Sequence, residues 1–215
     1  MKKIIGFLLT LTILSSCGSG GDADQAKATL PKAKVGEQVA TFAGGCFWGM
    51  QEGFLELKGV TKSTSGYAGG SKANPTYEEV SADVTGHAEA VQVIYDPSII
   101  SFSQLVDAFF VMHDPTQLNR QGPDVGESYR SVAFYSNPDE KKIIEIAITK
   151  YDKSGFHLEP VVTEVKAFSN FYPAEAYHQN YYKLNPNSAY IVNVCGPKVQ
   201  KLRNAFPDLL KPEYK

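Results

Sequence analysis

The chain has 215 residues, of which 43% are hydrophobic and 20% charged, and its formal net charge at pH 7 is −2. The apolar fraction excludes a disordered tail protein, and the near balance of charges excludes a nucleic-acid binder that relies on bulk positive charge. Three cysteines and four histidines are too few for a disulfide scaffold or a zinc framework.

The N-terminus predicts an export signal. Lys2 and Lys3 precede an apolar run from Ile4 to Ile13, which is too short to span a bilayer as a helix. The small residues before Cys17 resemble the end of a bacterial lipoprotein lipobox. We expect residues 1–16 to be a lipoprotein signal peptide and Cys17 to carry the lipid; the alternative is a plain signal with a chance cysteine. Acylation would make the chain a cell envelope lipoprotein, exported to the periplasmic side of a bacterial membrane.

Residues 17–36 predict a flexible tether, because small, polar and charged residues cannot build a core. A single domain is expected to follow from residue 37 to residue 210. Residues 211–215 are expected to form a C-terminal tail.

Local patterning predicts interleaved strands and helices. In chain order these are a strand over 38–43, a helix over 46–57, a strand over 87–95, a helix over 101–112, a strand over 129–135, a helix over 139–153, a strand over 161–165, and helices over 174–184 and 198–210. The run 190–194 is apolar and β-prone. We therefore predict an α+β fold, in which helices pack on a mixed β-sheet as a two-layer sandwich in a single domain.

The strongest chemical signal is the run Gly44-Gly45-Cys46-Phe47-Trp48-Gly49. Since Cys46 would stand at a helix N-terminus, unpaired N–H groups and the helix dipole are expected to lower its pKa. Adjacent positions on a helix point about 100° apart, so Phe47 and Trp48 could wall a small apolar pocket. Taken alone, Cys46 could equally be a buried structural thiol.

Glu89 is the candidate acid. In the predicted strand over 87–95, alternate residues read His, Glu, Val, Val, Tyr and share one face. If that face is interior, burial would keep the Glu89 carboxyl protonated and able to donate a proton. The alternative is a frayed strand end at which Glu89 reaches water.

Several separated motifs between about Thr41 and Tyr182 resemble those of the peptide methionine sulfoxide reductase family, type A. They are Gly45-Cys46-Phe47-Trp48-Gly49, Gly66-Tyr67-Ala68-Gly69-Gly70, Asn74-Pro75-Thr76-Tyr77, Gly86-His87-Ala88-Glu89-Ala90, Arg120-Gln121-Gly122-Pro123-Asp124, Tyr129-Arg130-Ser131 and His178-Gln179.

The resemblance implies that Cys46 is the nucleophile and that Glu89 protonates the sulfoxide oxygen. Phe47 and Trp48 would cage the S-methyl group of the substrate. The implied substrates are oxidised proteins or peptides with methionine S-sulfoxide, and the free S-sulfoxide.

The resemblance also implies that Tyr77 and Tyr129 hydrogen-bond the sulfoxide oxygen, that Asp124 lies near the site and that His178 belongs to the substrate-binding set. From the residues alone, Tyr77 and Tyr129 could be ordinary strand-edge aromatics and Asp124 a turn residue.

Attack by Cys46 would leave a sulfenic acid, which a second thiol can convert to a disulfide. No metal or organic cofactor is implied, and an external thioredoxin-like thiol would supply the electrons. With Cys17 acylated, Cys195 is the candidate resolving thiol. The alternatives are that Cys195 is a bystander or forms a permanent disulfide with Cys46.

Two other functions remain open at this point. One is a cysteine hydrolase or acyl transferase that pairs Cys46 with His178 or His87. The other is a lipoprotein that keeps the fold without catalysis. Lys198, Lys201 and Arg203 are expected to lie on a solvated helix face.

Overall fold

The computed structural model describes residues 26–155 and 157–215. The expected signal peptide, the expected lipidation site Cys17 and the first part of the expected tether lie outside the described residues. Within the described ranges, no helix has both the length and the apolar character needed to cross a membrane.

In the described part of the chain, the strands are β1 (Gln38–Gly44), β2 (Val60–Ala68), β3 (Ala88–Tyr95), β4 (Arg120–Gln121), β5 (Asp124–Val125), β6 (Ser131–Tyr135), β7 (Glu164–Ala167) and β8 (Phe171–Pro173). The α-helices are α1 (Phe47–Leu55), α2 (Tyr77–Ser81), α3 (Phe102–Met112), α4 (Pro138–Lys153), α5 (Tyr181–Leu184) and α6 (Gly196–Ala205). Short 3-10 helices cover Glu127–Tyr129, Ala176–His178, Pro207–Leu209 and Pro212–Tyr214, and a π-helical turn covers Ile191–Cys195.

Six of these strands form one sheet in the order β7-β6-β1-β3-β2-β8, and β4 pairs with β5 in a separate ribbon. Neighbouring strands of the sheet are antiparallel except β6 and β7, which are parallel. The main core joins one face of the sheet to α1, α3, α4 and α6. The predicted α+β fold with a mixed sheet and packed helices is therefore confirmed.

β3 lies at the centre of this sheet, and all of its residues are buried. Val91, Val93 and Tyr95 belong to the main core, whereas Ala88 and Ala90 contact a smaller cluster on the other face. Because side chains alternate along a strand, Glu89 faces the main core. The expectation that Glu89 lies on an interior face is confirmed.

Capping explains why two helices begin where the sequence predicts. At α3, the Ser101 side chain accepts from the Gln104 N–H while the Gln104 side chain accepts from the Ser101 N–H. At α4, the Asn137 side chain accepts from the Glu140 N–H, and Pro138 occupies the first turn. Each cap satisfies backbone donors that the helix itself leaves unpaired.

Two predictions near the C-terminus are corrected. The predicted helix over 174–184 is interrupted at Asn180, whose φ of 56° is left-handed, so that a 3-10 helix and the short α5 form instead. The β-prone run 190–194 lies mostly in the π-helical turn. Ile191 and Cys195 are buried there while Val192 and Asn193 are exposed, a helical spacing that a strand would not produce.

The described part of the expected tether contacts the domain, ahead of the boundary predicted at residue 37. The Ala28 N–H donates to the Ala174 carbonyl at 2.9 Å, and the Ala176 N–H donates to the Ala26 carbonyl at 2.8 Å. Lys27 forms an ion pair with Glu175 and donates to the Pro75 carbonyl at 2.7 Å. Residues 26–28 are thus attached beside the segment 174–178.

The expected C-terminal tail also packs on the domain. The Lys211 N–H donates to the Glu56 carbonyl at 2.8 Å, just beyond the end of α1.

Gly66→Ala should destabilise the protein by about 1–3 kcal/mol, the usual cost of overpacking. A Cβ at Gly66 would lie 2.4 Å from the Tyr172 carbonyl oxygen and 2.4 Å from the Phe171 ring, so β8 would have to move. Denaturant unfolding measures the loss. The control is Lys62→Ala at an exposed position of the same strand, which should change stability by less than about 0.5 kcal/mol. Equal stabilities for the two variants would contradict the prediction.

Candidate active site

A tight turn between β1 and α1 places Cys46 at the N-terminus of α1, as the sequence predicts. Gly45 has a φ of 77°, in the left-handed region that favours glycine. A Cβ at Gly45 would approach the Gln121 side chain to 2.4 Å. The turn therefore needs glycine both for its backbone angle and for its close contact with Gln121, the last residue of β4.

Cys46 opens onto a cavity of about 320 Å³. The lining residues are Cys46, Phe47, Trp48, Tyr77, Glu89, Asp124, Tyr129, Tyr181, Ser188 and Tyr190. The cavity brings together all of the predicted catalytic residues and both of the predicted cage aromatics from five separate parts of the chain.

Trp48 forms the centre of an aromatic wall. Its ring stacks on Tyr181 with centroids 3.8 Å apart and meets Tyr190 edge to face at 5.7 Å. Its indole N–H donates to Nδ1 of His178 at 3.2 Å. These contacts on three sides hold the indole in one orientation, so the wall is rigid before a substrate arrives.

The expected substrate-binding role of His178 stays a prediction. His178 is buried behind Trp48 and Phe47 and is not among the residues that line the cavity. Burial lowers the pKa of His178 to about 4, so its imidazole is neutral and can accept the Trp48 N–H. His178 therefore supports the aromatic wall from behind.

Glu89 lines the same cavity as the aromatic wall and is only 3% exposed. Its Oε2 accepts the Phe47 N–H at 3.0 Å, which fixes the carboxyl beneath the first turn of α1. Burial raises the pKa of Glu89 well above its usual range, and the charges of Cys46 and Asp124 raise it further. The second carboxyl oxygen can therefore carry a proton at neutral pH.

Phenol groups supply further donors. Burial is the largest cause that raises the pKa of both Tyr77 and Tyr129, so both hydroxyls stay protonated. Tyr190, which the sequence analysis missed, donates to Asp124 Oδ2 at 2.5 Å, and burial likewise raises its pKa. No local signal could have found Tyr190, because it stands in a run that resembled an ordinary buried strand.

Cys46 and Cys195 are neighbouring free thiols, and both are buried. A Cβ at Gly49, on the first turn of α1, would lie 3.3 Å from the Cys195 Cβ, which shows how closely the two segments approach. Burial raises the pKa of Cys46 and the neighbouring Cys195 raises it further, whereas the interaction with Cys46 lowers the pKa of Cys195. The structure thus brings the candidate resolving thiol to the candidate nucleophile.

The expected lowering of the Cys46 pKa is wrong for this reduced pair. Burial raises the pKa of Cys46 well above that of a free thiol and outweighs the Trp48 N–H at the helix end. The Phe47 N–H, which could also have faced the sulfur, donates to Glu89 instead. Ionisation of this sulfur therefore needs another source of positive charge.

The two histidines considered for a hydrolase are engaged elsewhere. His87 accepts the Gly70 N–H at 3.0 Å through Nδ1 and donates to the Lys72 carbonyl at 2.8 Å through Nε2. His178 accepts from Trp48. Among the described hydrogen bonds neither imidazole contacts Cys46, whereas a cysteine hydrolase requires that contact. Among the described residues, no group of three or more His, Cys, Asp or Glu could hold a metal ion.

Of the three α6 residues expected to be exposed to solvent (Lys198, Lys201 and Arg203), only Lys201 is. Lys201 is exposed, but Arg203 donates to both carboxylate oxygens of the buried Glu56, at 2.8 and 2.6 Å. Lys198 is only 8% exposed and points toward the turn at Gly45.

A model of the family described as peptide methionine sulfoxide reductase matches residues 38–210. A peptide methionine sulfoxide reductase MsrA from Natronomonas pharaonis is 47% identical over 170 residues, which cover 79% of this chain and 96% of that protein. A protein of the same description from Thermus thermophilus is 44% identical over 176 residues, covering 82% of this chain and 99% of that protein.

Solved structures of the same kind also match. Mxr1 from Saccharomyces cerevisiae in reduced form aligns with a TM-score of 0.67 and 34% identity, covering 73% of this chain and 91% of that chain. Methionine sulfoxide reductase A of Corynebacterium diphtheriae aligns with a TM-score of 0.65 and 33% identity, covering 77% of this chain and 89% of that chain.

Glu89→Gln should gain stability relative to the unsubstituted protein as the pH rises from about 5 to 8. The Glu89 pKa is raised in the folded state and near 4.3 in the unfolded state, so folding takes up a proton between the two values. Stability therefore falls with rising pH across that window, and glutamine removes this loss. Denaturant unfolding at both pH values measures the difference in free energy of unfolding between the variant and the unsubstituted protein. For the exposed control Glu159→Gln this difference should be the same at both pH values. A pH-independent difference for Glu89→Gln would mean that the buried carboxyl is ionised.

Proposed function

The chain belongs to the peptide methionine sulfoxide reductase family, and we propose that its cavity reduces methionine S-sulfoxide with Cys46 as the nucleophile and Glu89 as the proton donor. The chain is a thiol-dependent oxidoreductase that repairs oxidised methionine. The residue assignments rest on the geometry of the cavity.

Reduction of a sulfoxide needs a soft nucleophile at sulfur and a proton at oxygen, because an oxide ion is a poor leaving group. The Cys46 thiolate attacks the sulfoxide sulfur while the Glu89 carboxyl protonates the oxygen. Oxygen passes from the substrate to Cys46, which becomes a sulfenic acid. The substrate sulfur is reduced by two electrons to methionine, and the Cys46 sulfur is oxidised by two electrons.

The remaining lining residues orient the substrate. The Trp48 and Phe47 rings suit the S-methyl group, and the Tyr77 and Tyr129 hydroxyls suit the sulfoxide oxygen. Asp124 acts through Tyr190, whose hydroxyl donates to it at the cavity edge. Contact with the methyl, the oxygen and the sulfur allows one epimer to be selected, and we assign the S epimer.

Cys195 completes the cycle as the resolving thiol. Its thiolate attacks the Cys46 sulfur, an S–S bond forms, the S–O bond breaks, and the departing hydroxide takes a proton to leave as water. The contact between the two thiols supports this step. An external dithiol of the thioredoxin type then reduces the disulfide, and neither step needs a metal or an organic cofactor.

The observation that carries the assignment is that Cys46 and a protonated Glu89 line the same cavity, with the N–H of Phe47, the residue after Cys46, donating to Glu89. A buried structural cysteine would have no need of a proton donor facing the same space.

Cys46→Ser should abolish reduction of methionine S-sulfoxide, by at least about 10³-fold, with any reductant. Cys195→Ser should keep its activity with dithiothreitol and lose it with thioredoxin, because a small dithiol can reach the sulfenic acid directly. A stopped assay of methionine release with both reductants measures this. Retained activity in Cys46→Ser would refute the nucleophile, and full thioredoxin-driven turnover in Cys195→Ser would refute the resolving role.

We also propose that the chain is anchored to a membrane through a lipid on Cys17. The sequence pattern around Cys17 supports this. The docking of residues 26–28 on the domain limits how far the domain can lie from such an anchor. The nine residue steps from Cys17 to Ala26 reach at most about 30 Å when fully extended. An anchor at Cys17 would therefore hold the domain close to the membrane surface.

Cys17→Ser should release the protein from the membrane fraction of a bacterial host and end its labelling by radioactive palmitate. The matched control is Cys195→Ser, which should remain membrane-bound because the cysteine that it removes is buried. Recovery of the unsubstituted protein in the soluble fraction would refute the anchor without affecting the reductase assignment.

A further inference from the structure

We propose that Lys198 is the positive charge that keeps one sulfur of the Cys46–Cys195 pair ionised at neutral pH. The inference rests on the roles proposed above for the two thiols, and it adds a positioning residue in α6 that the reaction itself does not reveal.

The first observation is that the Lys198 ammonium is buried without a partner. Lys198 is 8% exposed, and its Nζ has no hydrogen-bond partner among the described residues. No described carboxylate forms an ion pair with it. An isolated buried ammonium is strongly unfavourable, so this geometry requires a nearby negative charge in at least one state of the protein.

The second observation is where the ammonium points. Lys198 Nζ lies 3.2 Å from the position that a Cβ on Gly45 would occupy, and Gly45 directly precedes Cys46. Lys198 also follows Cys195 by three residues in a continuous helical segment, so it stands on the same side of that segment as the second thiol. The ammonium therefore faces the junction between the two sulfur-bearing segments.

Other charges around the thiols do not supply this effect. The titratable and charged groups that face the thiol pair or Lys198 are Tyr77, Glu89, His113, Asp114, Asp124, Tyr129, Tyr182, Tyr190 and Lys201. Of these, Lys201 carries a positive charge, but it is exposed to water. The carboxyl groups are acidic and the phenols are neutral, and burial lowers the pKa of His113 to about 3, so its ring is uncharged. Lys198 lowers the pKa of both Cys46 and Cys195.

Both chemical steps need a thiolate, and Lys198 can assist each of them. Cys46 must be ionised to attack the sulfoxide, and Cys195 must be ionised to attack the sulfenic acid. In the disulfide neither sulfur is charged, so the ammonium loses its counter-ion. Lys198 should therefore destabilise the oxidised form and make the disulfide easier for an external dithiol to reduce.

The test compares Lys198→Met, Lys198→Arg and the exposed control Lys201→Met. All are made in the full chain with Cys17→Ser, so that Cys17 does not contribute to the thiol signals. The pH dependence of thiolate absorbance and of iodoacetamide alkylation gives the first thiol ionisation. Equilibration with a glutathione buffer gives the reduction potential.

The unsubstituted protein should ionise its first thiol below the free-cysteine pKa of about 8.5. Lys198→Met should raise that value by about one unit, lower the alkylation rate at neutral pH about tenfold and make the disulfide about tenfold harder to reduce. Lys198→Arg should restore most of each value because it keeps the charge, and Lys201→Met should change none of them.

An unchanged ionisation and potential in Lys198→Met would overturn the inference. If that variant does not fold, the unsubstituted protein still provides a test. A pKa at or above about 8.5 for the first thiol to ionise would also overturn the inference. The reductase assignment is tested separately: it fails if Cys46→Ser still reduces methionine sulfoxide. That result does not depend on Lys198.

Discussion

The site depends on one hydrogen bond, from the Phe47 N–H to Glu89 Oε2. It joins the first turn of α1 to the central strand β3, so the nucleophile and the acid are held by neighbouring atoms of the same junction. Since β3 is buried on both faces, the carboxyl is removed from water and remains protonated. A more exposed junction would leave an ionised Glu89, which would repel the Cys46 thiolate and could not donate a proton.

The same burial creates a conflict that the rest of the site resolves. Low polarity keeps Glu89 protonated, as the reaction requires, but it also opposes ionisation of Cys46. The helix end does not supply enough positive potential, because its first N–H is used by Glu89. A buried cation at Lys198 can favour the thiolate, and Lys198 lines a different cavity from the one that the aromatic residues line.

Elements with strong local signals were predicted well. α3 and α4 begin at side chains that cap them, and β3 shows the alternation typical of a strand. β2 carries hydroxyl-bearing residues without a clear alternation and was not predicted; it forms because β3 and β8 pair with its two edges. The β-prone reading of the run 190–194 was wrong, since contacts with α1, which is distant in sequence, help to decide its conformation.

By itself, the sequence determined the parts of the site that are local in the chain. The glycine turn before Cys46, the adjacent aromatics and the acid on β3 all follow from residues within one element or one junction. Tertiary structure alone decided that Cys195 meets Cys46, that Tyr190 reaches Asp124 and that the ammonium of the last helix is buried. The physical reason is that these contacts arise when helices and loops pack across the sheet. Neither hydrophobic periodicity nor secondary-structure propensity identifies a partner more than 60 residues away, such as Asp124 for Tyr190.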